Sequence, residues 1–126
     1  MAKYVDGFVI VVPKDKREEY KKMAEEGREM WMKLGALEYY ECIGDDLVTK
    51  EMGGQKAREF TDMAGAGSDE EVWFSFIVFK SKEHRDEVNA KIQEGMQEYQ
   101  EQNKDFAMPF EMKKMAYGGF KAVIES

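Results

Sequence analysis

Val72-Trp73-Phe74-Ser75-Phe76-Ile77-Val78-Phe79 is the stretch that decides the fold, because it is apolar on both sides. Side chains alternate across a strand. Val72, Phe74, Phe76 and Val78 therefore share one face, and Trp73, Ser75, Ile77 and Phe79 the other. Phe8-Val9-Ile10-Val11-Val12 near the start repeats the pattern. A strand with two dry faces belongs in the middle of a sheet that is covered on both sides. The sequence offers only two long helices, enough for one side. The other side is expected to meet a second copy of the chain.

The elements follow from periodicity and punctuation. Tyr4 to Val12 reads as a strand ended by Pro13, which lacks a backbone donor. From about Asp15 to Leu34, the residues Tyr20, Met23, Gly27, Met30, Trp31 and Leu34 recur at helical spacing. Gly35 is suited to end that helix. Leu37 to Ile43 reads as a second strand, followed by the turn chemistry of Gly44-Asp45-Asp46. The long 45–70 connection holds Gly53-Gly54 and Gly65-Ala66-Gly67, with a short helix expected around Gln55 to Met63. After the decisive strand, Ser81 reads as the N-cap of a helix from Lys82 to about Tyr99, with Val88, Ile92, Met96 and Tyr99 as its inner stripe. A Gln-rich connection containing Met108-Pro109-Phe110 leads to a last strand from Met115 to Ile124. The order is β-α-β-β-α-β, which places the first and third strands centrally and the second and fourth at the edges. Charge and glycine in Glu38-Tyr39-Tyr40-Glu41 and Gly118-Gly119-Phe120-Lys121 suit edges that resist aggregation.

At 126 residues the chain reads as one α+β domain, 1–126, long enough to bury its own core. With 43% hydrophobic and 36% charged residues the balance is that of a globular protein. No apolar run reaches the roughly 20 residues that cross a bilayer, so no membrane role is expected. The N-terminus shows no signal-peptide pattern, and the default location is cytoplasmic. The net charge of -7, from 26 acidic against 19 basic residues, argues against nucleic acid, whose binders need a positive footprint. One cysteine, Cys42, and one histidine, His84, exclude an internal disulfide and a multi-histidine metal site within one chain. No metal site is expected, although a dimer would bring two copies of each residue together. The sequence names no cofactor.

Several segments together resemble the YbaA-like family of uncharacterised bacterial proteins. They are Tyr4-Val5-Asp6-Gly7-Phe8-Val9, Gly35-Ala36-Leu37-Glu38-Tyr39 with Glu41-Cys42, Val72 to Val78, His84-Arg85-Asp86 with Val88-Asn89-Ala90-Lys91, and Met108-Pro109-Phe110 with Tyr117-Gly118-Gly119-Phe120. The resemblance implies a ferredoxin-like domain with an antiparallel sheet, of the dimeric α/β-barrel superfamily, in which two sheets pack face to face. It implies no activity.

Candidate chemistry rests on few residues. Asp6 puts an acid on an apolar strand face; turned into a dry cavity it would be a base, and otherwise it is a wet strand-end carboxylate or a partner of Tyr117. His84 is the natural proton shuttle, or else a histidine satisfied beside an N-cap. Arg85 and Asn89, four apart on one helix face, could read a ligand's carboxylate or amide, with Asp86 pointing elsewhere. Alternatively, Arg85 pairs with an acid of the long loop. Cys42 lacks a neighbouring cation and reads as a buried structural cysteine. Trp31, Tyr40, Tyr117 and the ten methionines could line a pocket, or simply be core.

Two functions follow as expectations. One is a homodimer that binds a small apolar molecule between its sheets or in a helix-sheet cleft, with Asp6 and His84 supplying cofactor-free acid/base chemistry and Arg85, Asn89, Trp31, Tyr40 and Tyr117 holding the ligand. The other is a non-catalytic dimeric module that contacts a partner through the 45–70 segment.

Overall fold

The computed structural model describes residues 2–102 and 107–126; part of the Gln-rich connection expected after the second long helix lies outside them. Strand β1 runs Tyr4–Pro13. Residues Lys14–Lys16 tighten into a 3-10 turn, so helix α1 spans Arg17–Lys33, beginning two residues later than its periodicity suggests. It stops where Gly35 takes φ +116°, a conformation that side chains with a Cβ avoid. Strand β2 is Glu38–Ile43.

The 45–70 connection corrects the expected helix from Gln55 to Met63. Gly53 and Gly54 both adopt positive φ, the geometry of a two-residue hairpin turn, and pair strand β3 (Glu51–Met52) with β4 (Gln55–Lys56). Helix α2 is left with only Phe60–Ala64. Strand β5, Glu70–Phe79, contains the decisive stretch. Helix α3, Lys82–Gln102, is capped by Ser81, whose Oγ accepts the His84 backbone N–H at 3.2 Å. Strand β6 covers Met115–Lys121 and stops short of Ile124. Its partner β1 begins at Tyr4, opposite Lys121, so Val123 and Ile124 have no strand to pair with and stand in solvent.

The main sheet has the order β2-β5-β1-β6 and every pairing is antiparallel. The two doubly apolar strands are central and the two charged or glycine-bearing ones are edges. Helices α1 and α3 cover one face. There Ile10, Val12 and Trp73 pack with Tyr20, Ala24 and Phe110, while Ile77 and Phe79 pack with Ala36, Val88 and Ile92. Of the expected inner stripe of α3, Val88 and Ile92 are buried, but Met96 and Tyr99 are exposed. That half of the helix runs alongside a cavity instead of against the sheet.

The opposite face is covered only in part. Helix α2 packs against β1 and β5, and the outward Val11 and Val72 are buried. Farther along, Tyr40, Phe74 and Phe120 are 48%, 45% and 63% exposed. Tyr40 stacks on Phe76 with centroids 4.9 Å apart.

Candidate functional site

A cavity of about 530 Å³ opens between α1, the sheet, the second half of α3 and the Met108–Phe110 segment. It exists because the facing side chains are irregular in shape. Met23, Met30, Met96, Met108 and Met115 ring it, and Gly27 leaves room on α1 beside the Trp31 ring. Unbranched methionines leave and fill uneven gaps. Phe8, Ile10, Ile77 and Phe110 complete its apolar walls.

One polar cluster interrupts those walls. Alternation along β2 turns Tyr39 and Glu41 to the helix side, opposite Ile77 and Ser75 of β5. Tyr20 arrives from the first turn of α1. The Tyr20 hydroxyl donates to Glu41 Oε1 at 2.7 Å, and the Tyr39 hydroxyl donates to Oε2 at 2.6 Å. Ser75, itself buried, lies opposite Glu41 in the register with β5 and adds its hydroxyl to the polar surroundings. Burial pushes the Glu41 carboxyl above the ordinary carboxylate range, although the bonds from Tyr39 and Tyr20 and the Ser75 hydroxyl hold part of that rise back. Burial, then the adjacent Glu41 charge, raises both phenols well beyond the usual tyrosine range. Both tyrosines therefore remain protonated donors at neutral pH.

Glu41 also borders a second space. A groove of about 470 Å³ between α1 and β2 shares Ala24, Tyr39 and Glu41 with the cavity, and carries Arg17, Lys21, Glu25 and Arg28. The carboxylate thus forms a wall between an apolar chamber and a charged groove.

The residues singled out from sequence divide between two places. Asp6, 5% exposed, faces the helices. Its Oδ1 accepts from Arg85 Nη1 at 2.9 Å and its Oδ2 from Asn89 Nδ2 at 3.1 Å. Asn89 Oδ1 in turn accepts from Trp31 Nε1 at 3.3 Å, and Trp31 is a wall of the cavity. Asp6, Arg85, Asn89 and Trp31 therefore form one connected chain. The partner of Asp6 is neither water nor Tyr117, and the partner of Arg85 lies in β1 and not in the long loop. Asp86 does not point elsewhere: it accepts from Arg85 Nε at 2.8 Å. The Arg85 guanidinium also lies 4.7 Å above the Tyr4 ring. Gly119 permits this arrangement, since a Cβ there would fall 2.5 Å from the Tyr4 hydroxyl.

His84, Tyr40 and Tyr117 lie outside the cavity walls. His84 Nδ1 accepts the Lys80 backbone N–H at 3.0 Å, and its ring stands edge-on to Phe79. Tyr40 is on the open face, and Tyr117, largely exposed on β6, stacks on Phe8 at 5.8 Å. Cys42 is exposed, which corrects the expectation of a buried thiol: it points from an edge strand to the face that α1 and α3 leave bare. Among the described residues, no group of three or more His, Cys, Asp or Glu side chains could hold a metal ion, and no helix is long and apolar enough to cross a membrane.

Sequence reasoning missed Glu41, Tyr20 and Ser75 as a polar group. Glu41 reads as a solvated edge charge, because an edge strand commonly carries one. The available signal was Tyr39-x-Glu41, which sets a phenol and a carboxylate on one face of a strand. Knowing which face required the register with β5.

The model of a family described as a protein of unknown function (DUF1428) matches residues 3–112. The uncharacterised protein YbaA of Escherichia coli strain K12 is 39% identical over 125 residues, covering 98% of each chain. YbaA of Shigella flexneri matches to the same extent. The similarity runs through every element that builds the cavity, and the chain belongs to this DUF1428 family of YbaA-like proteins, to which no function is assigned.

Proposed function

We propose that this chain is a single ferredoxin-like domain of the dimeric α/β-barrel type, acting as a cytoplasmic homodimer that binds a small, largely apolar molecule in its helix-sheet cavity. The observation that carries the ligand reading is the cavity itself: about 530 Å³, with methionine and aromatic walls and one carboxylate gripped by two tyrosines. Ligand sites are commonly apolar chambers of this size with a few convergent polar groups and a perturbed ionisable residue. In this reading Glu41 is the polar anchor. Trp31 is a wall, and Asp6, Arg85 and Asn89 hold that wall in place. Any acid/base step would centre on Glu41, with Asp6 and His84 at a distance from the ligand. The exposed aromatic patch around Phe74 and Phe120 supports the dimer, since an apolar face of this kind is usually an interaction surface.

The test is a titration with 2-methoxynaphthalene, followed through the indole N–H resonances of Trp31 and Trp73. Saturable shifts at Trp31 support the reading, provided that Ala24→Phe, which fills the chamber, abolishes them in a folded protein. Absence of binding by the wild type would end it. The competing module reading has its own support, since Val48, Met52 and Met63 of the 45–70 segment are strongly exposed. That reading expects no effect of Ala24→Phe on any property but stability.

A further inference from the structure

The polar end of the cavity has a definite hydrogen-bonding sense. Tyr20 and Tyr39 spend their hydroxyl protons on Glu41, and Ser75 lies opposite it on β5. A carboxylate offers about four lone-pair positions. The two phenols fill two of them, so the carboxylate keeps an open position. The two phenol oxygens also keep lone pairs that nothing in the cluster uses. The cluster therefore presents acceptors and no spare donor to whatever enters. Of the other donors in the wall, Trp31 Nε1 is directed to Asn89, while Tyr99 and Gln100 belong to α3 and not to this cluster.

Charge narrows the ligand further. The described cavity wall contains Glu26 and Glu41 but neither lysine nor arginine. The cations Arg17, Lys21 and Arg28 are confined to the groove on the far side of Glu41. An anion entering the chamber would lose its hydration and meet a second negative charge. An ammonium group would gain an ion pair but lose its own hydration in an apolar chamber. A neutral hydroxyl loses least and gains a charge-assisted bond.

We infer that the ligand class is a neutral, apolar, ring-sized molecule bearing a hydroxyl, phenolic or enolic in kind, which donates its proton to the open position on Glu41. This rests on the cavity reading above and adds the identity of the polar group. Tyr20 and Tyr39 are positioning residues: they hold the carboxylate still in the wall of the chamber.

The experiment compares three probes of one skeleton by calorimetry: 2-naphthol, 2-methoxynaphthalene and 2-naphthoate. The ether carries one more carbon and would bind more tightly on apolar burial alone. A donor-specific site reverses that order. The expected result is 2-naphthol bound roughly tenfold or more tightly than the ether, the low end of what a hydrogen bond to a charged group supplies. The naphthoate should bind most weakly. Glu41→Gln should bring the naphthol-to-ether ratio close to unity. Tyr39→Phe, which frees a further lone pair on the carboxylate, should keep or raise the ratio, whereas damage to the chamber would weaken both probes alike. This second variant serves if Glu41→Gln fails to fold. Equal binding of naphthol and ether, or preference for the naphthoate, overturns the hydroxyl assignment and leaves the cavity reading intact. Failure of all three probes removes the cavity reading itself, and the assignment with it.

Discussion

The two faces of the main sheet are built by the same strands with nearly the same apolar content, yet they end differently. On the helix face Ile10, Val12, Ile77 and Phe79 disappear beneath α1 and α3. On the other face Val11 and Val72 lie under α2, while Phe74, Phe120 and Tyr40 remain open. Alternation therefore identifies a two-faced strand without identifying what covers either face. The covered face is also where packing is imperfect enough to leave a chamber, and where a carboxylate has been drawn inside. The open face is aromatic. The proposed ligand site belongs to the first face and the proposed association to the second.

The largest contrast should come from deleting one ring on each side. Phe79→Ala removes a fully buried side chain and should cost about 3–5 kcal/mol. Phe74→Ala removes a half-exposed ring from the same strand and should cost about 1 kcal/mol or less at concentrations that hold the chain monomeric. Urea unfolding of the two variants measures both. Equal losses would mean that the open face is as well covered as the helix face, and the distinction would collapse.

Next in size is the polar chain that ties α3 to β1. Asp6→Ala leaves Arg85 and the Asn89 amide without their sheet partner. Breaking a fully buried pair costs about 3–5 kcal/mol. The Arg85 side chain is one-fifth exposed, which lets water soften the loss, so about 2–3 kcal/mol is expected. The Trp31 indole N–H resonance should move as well, because Asn89 links it to Asp6. A stable variant with an unmoved Trp31 signal would show that the chain is not connected to the cavity wall.

Glu41 differs from the other paired acids of the sheet in the sign of its pH response. Its folded-state pKa is raised, chiefly by burial, so the native protein holds the proton more tightly than the unfolded chain. Between the ordinary carboxylate value and the raised one, that difference makes stability fall as pH rises. Glu71, lowered by its bonds to Arg17, and Glu70, lowered by Lys114, act oppositely: their contribution is present above the ordinary value and lost as pH falls below it. Glu41→Gln removes only the first effect. The stability of wild type relative to the variant should rise as pH is lowered towards the ordinary carboxylate value, in melting curves recorded between neutral pH and that value. Parallel curves would place Glu41 in water.

Much of the architecture was legible because it depends on local rules. Pro13, Gly35 and Ser81 mark ends and a cap, and Val72 to Phe79 announces a central strand. The hairpin at Gly53-Gly54 was harder, since its four paired residues carry no strand alternation to contrast with a helix. The site was less legible still. Asp6, Arg85, Asn89 and Trp31 stood out as individual chemical groups, and the structure joins them across separations of 58 to 83 residues. Their connection is tertiary, so spacing could not reveal it. Glu41 was hidden for another reason: an edge strand has one face towards the helices, and the charge sits on that one.

The subtlest probe of the contrast is Cys42, which lies on the open face of β2 opposite Phe74 in the register with β5. Cys42→Ser should change stability by no more than about 0.5 kcal/mol, as an exposed substitution does. Its value lies in labelling. In an isolated chain the thiol should react with a maleimide without denaturant. If a second copy covers this face, the labelling rate should fall severalfold as protein concentration rises through the range of association. Phe120→Asp, which puts a charge into the patch, should keep the rate high at every concentration. A rate independent of concentration in the wild type would remove the homodimer. The chamber around Glu41 would be untouched by that result, because it lies on the opposite side of the sheet.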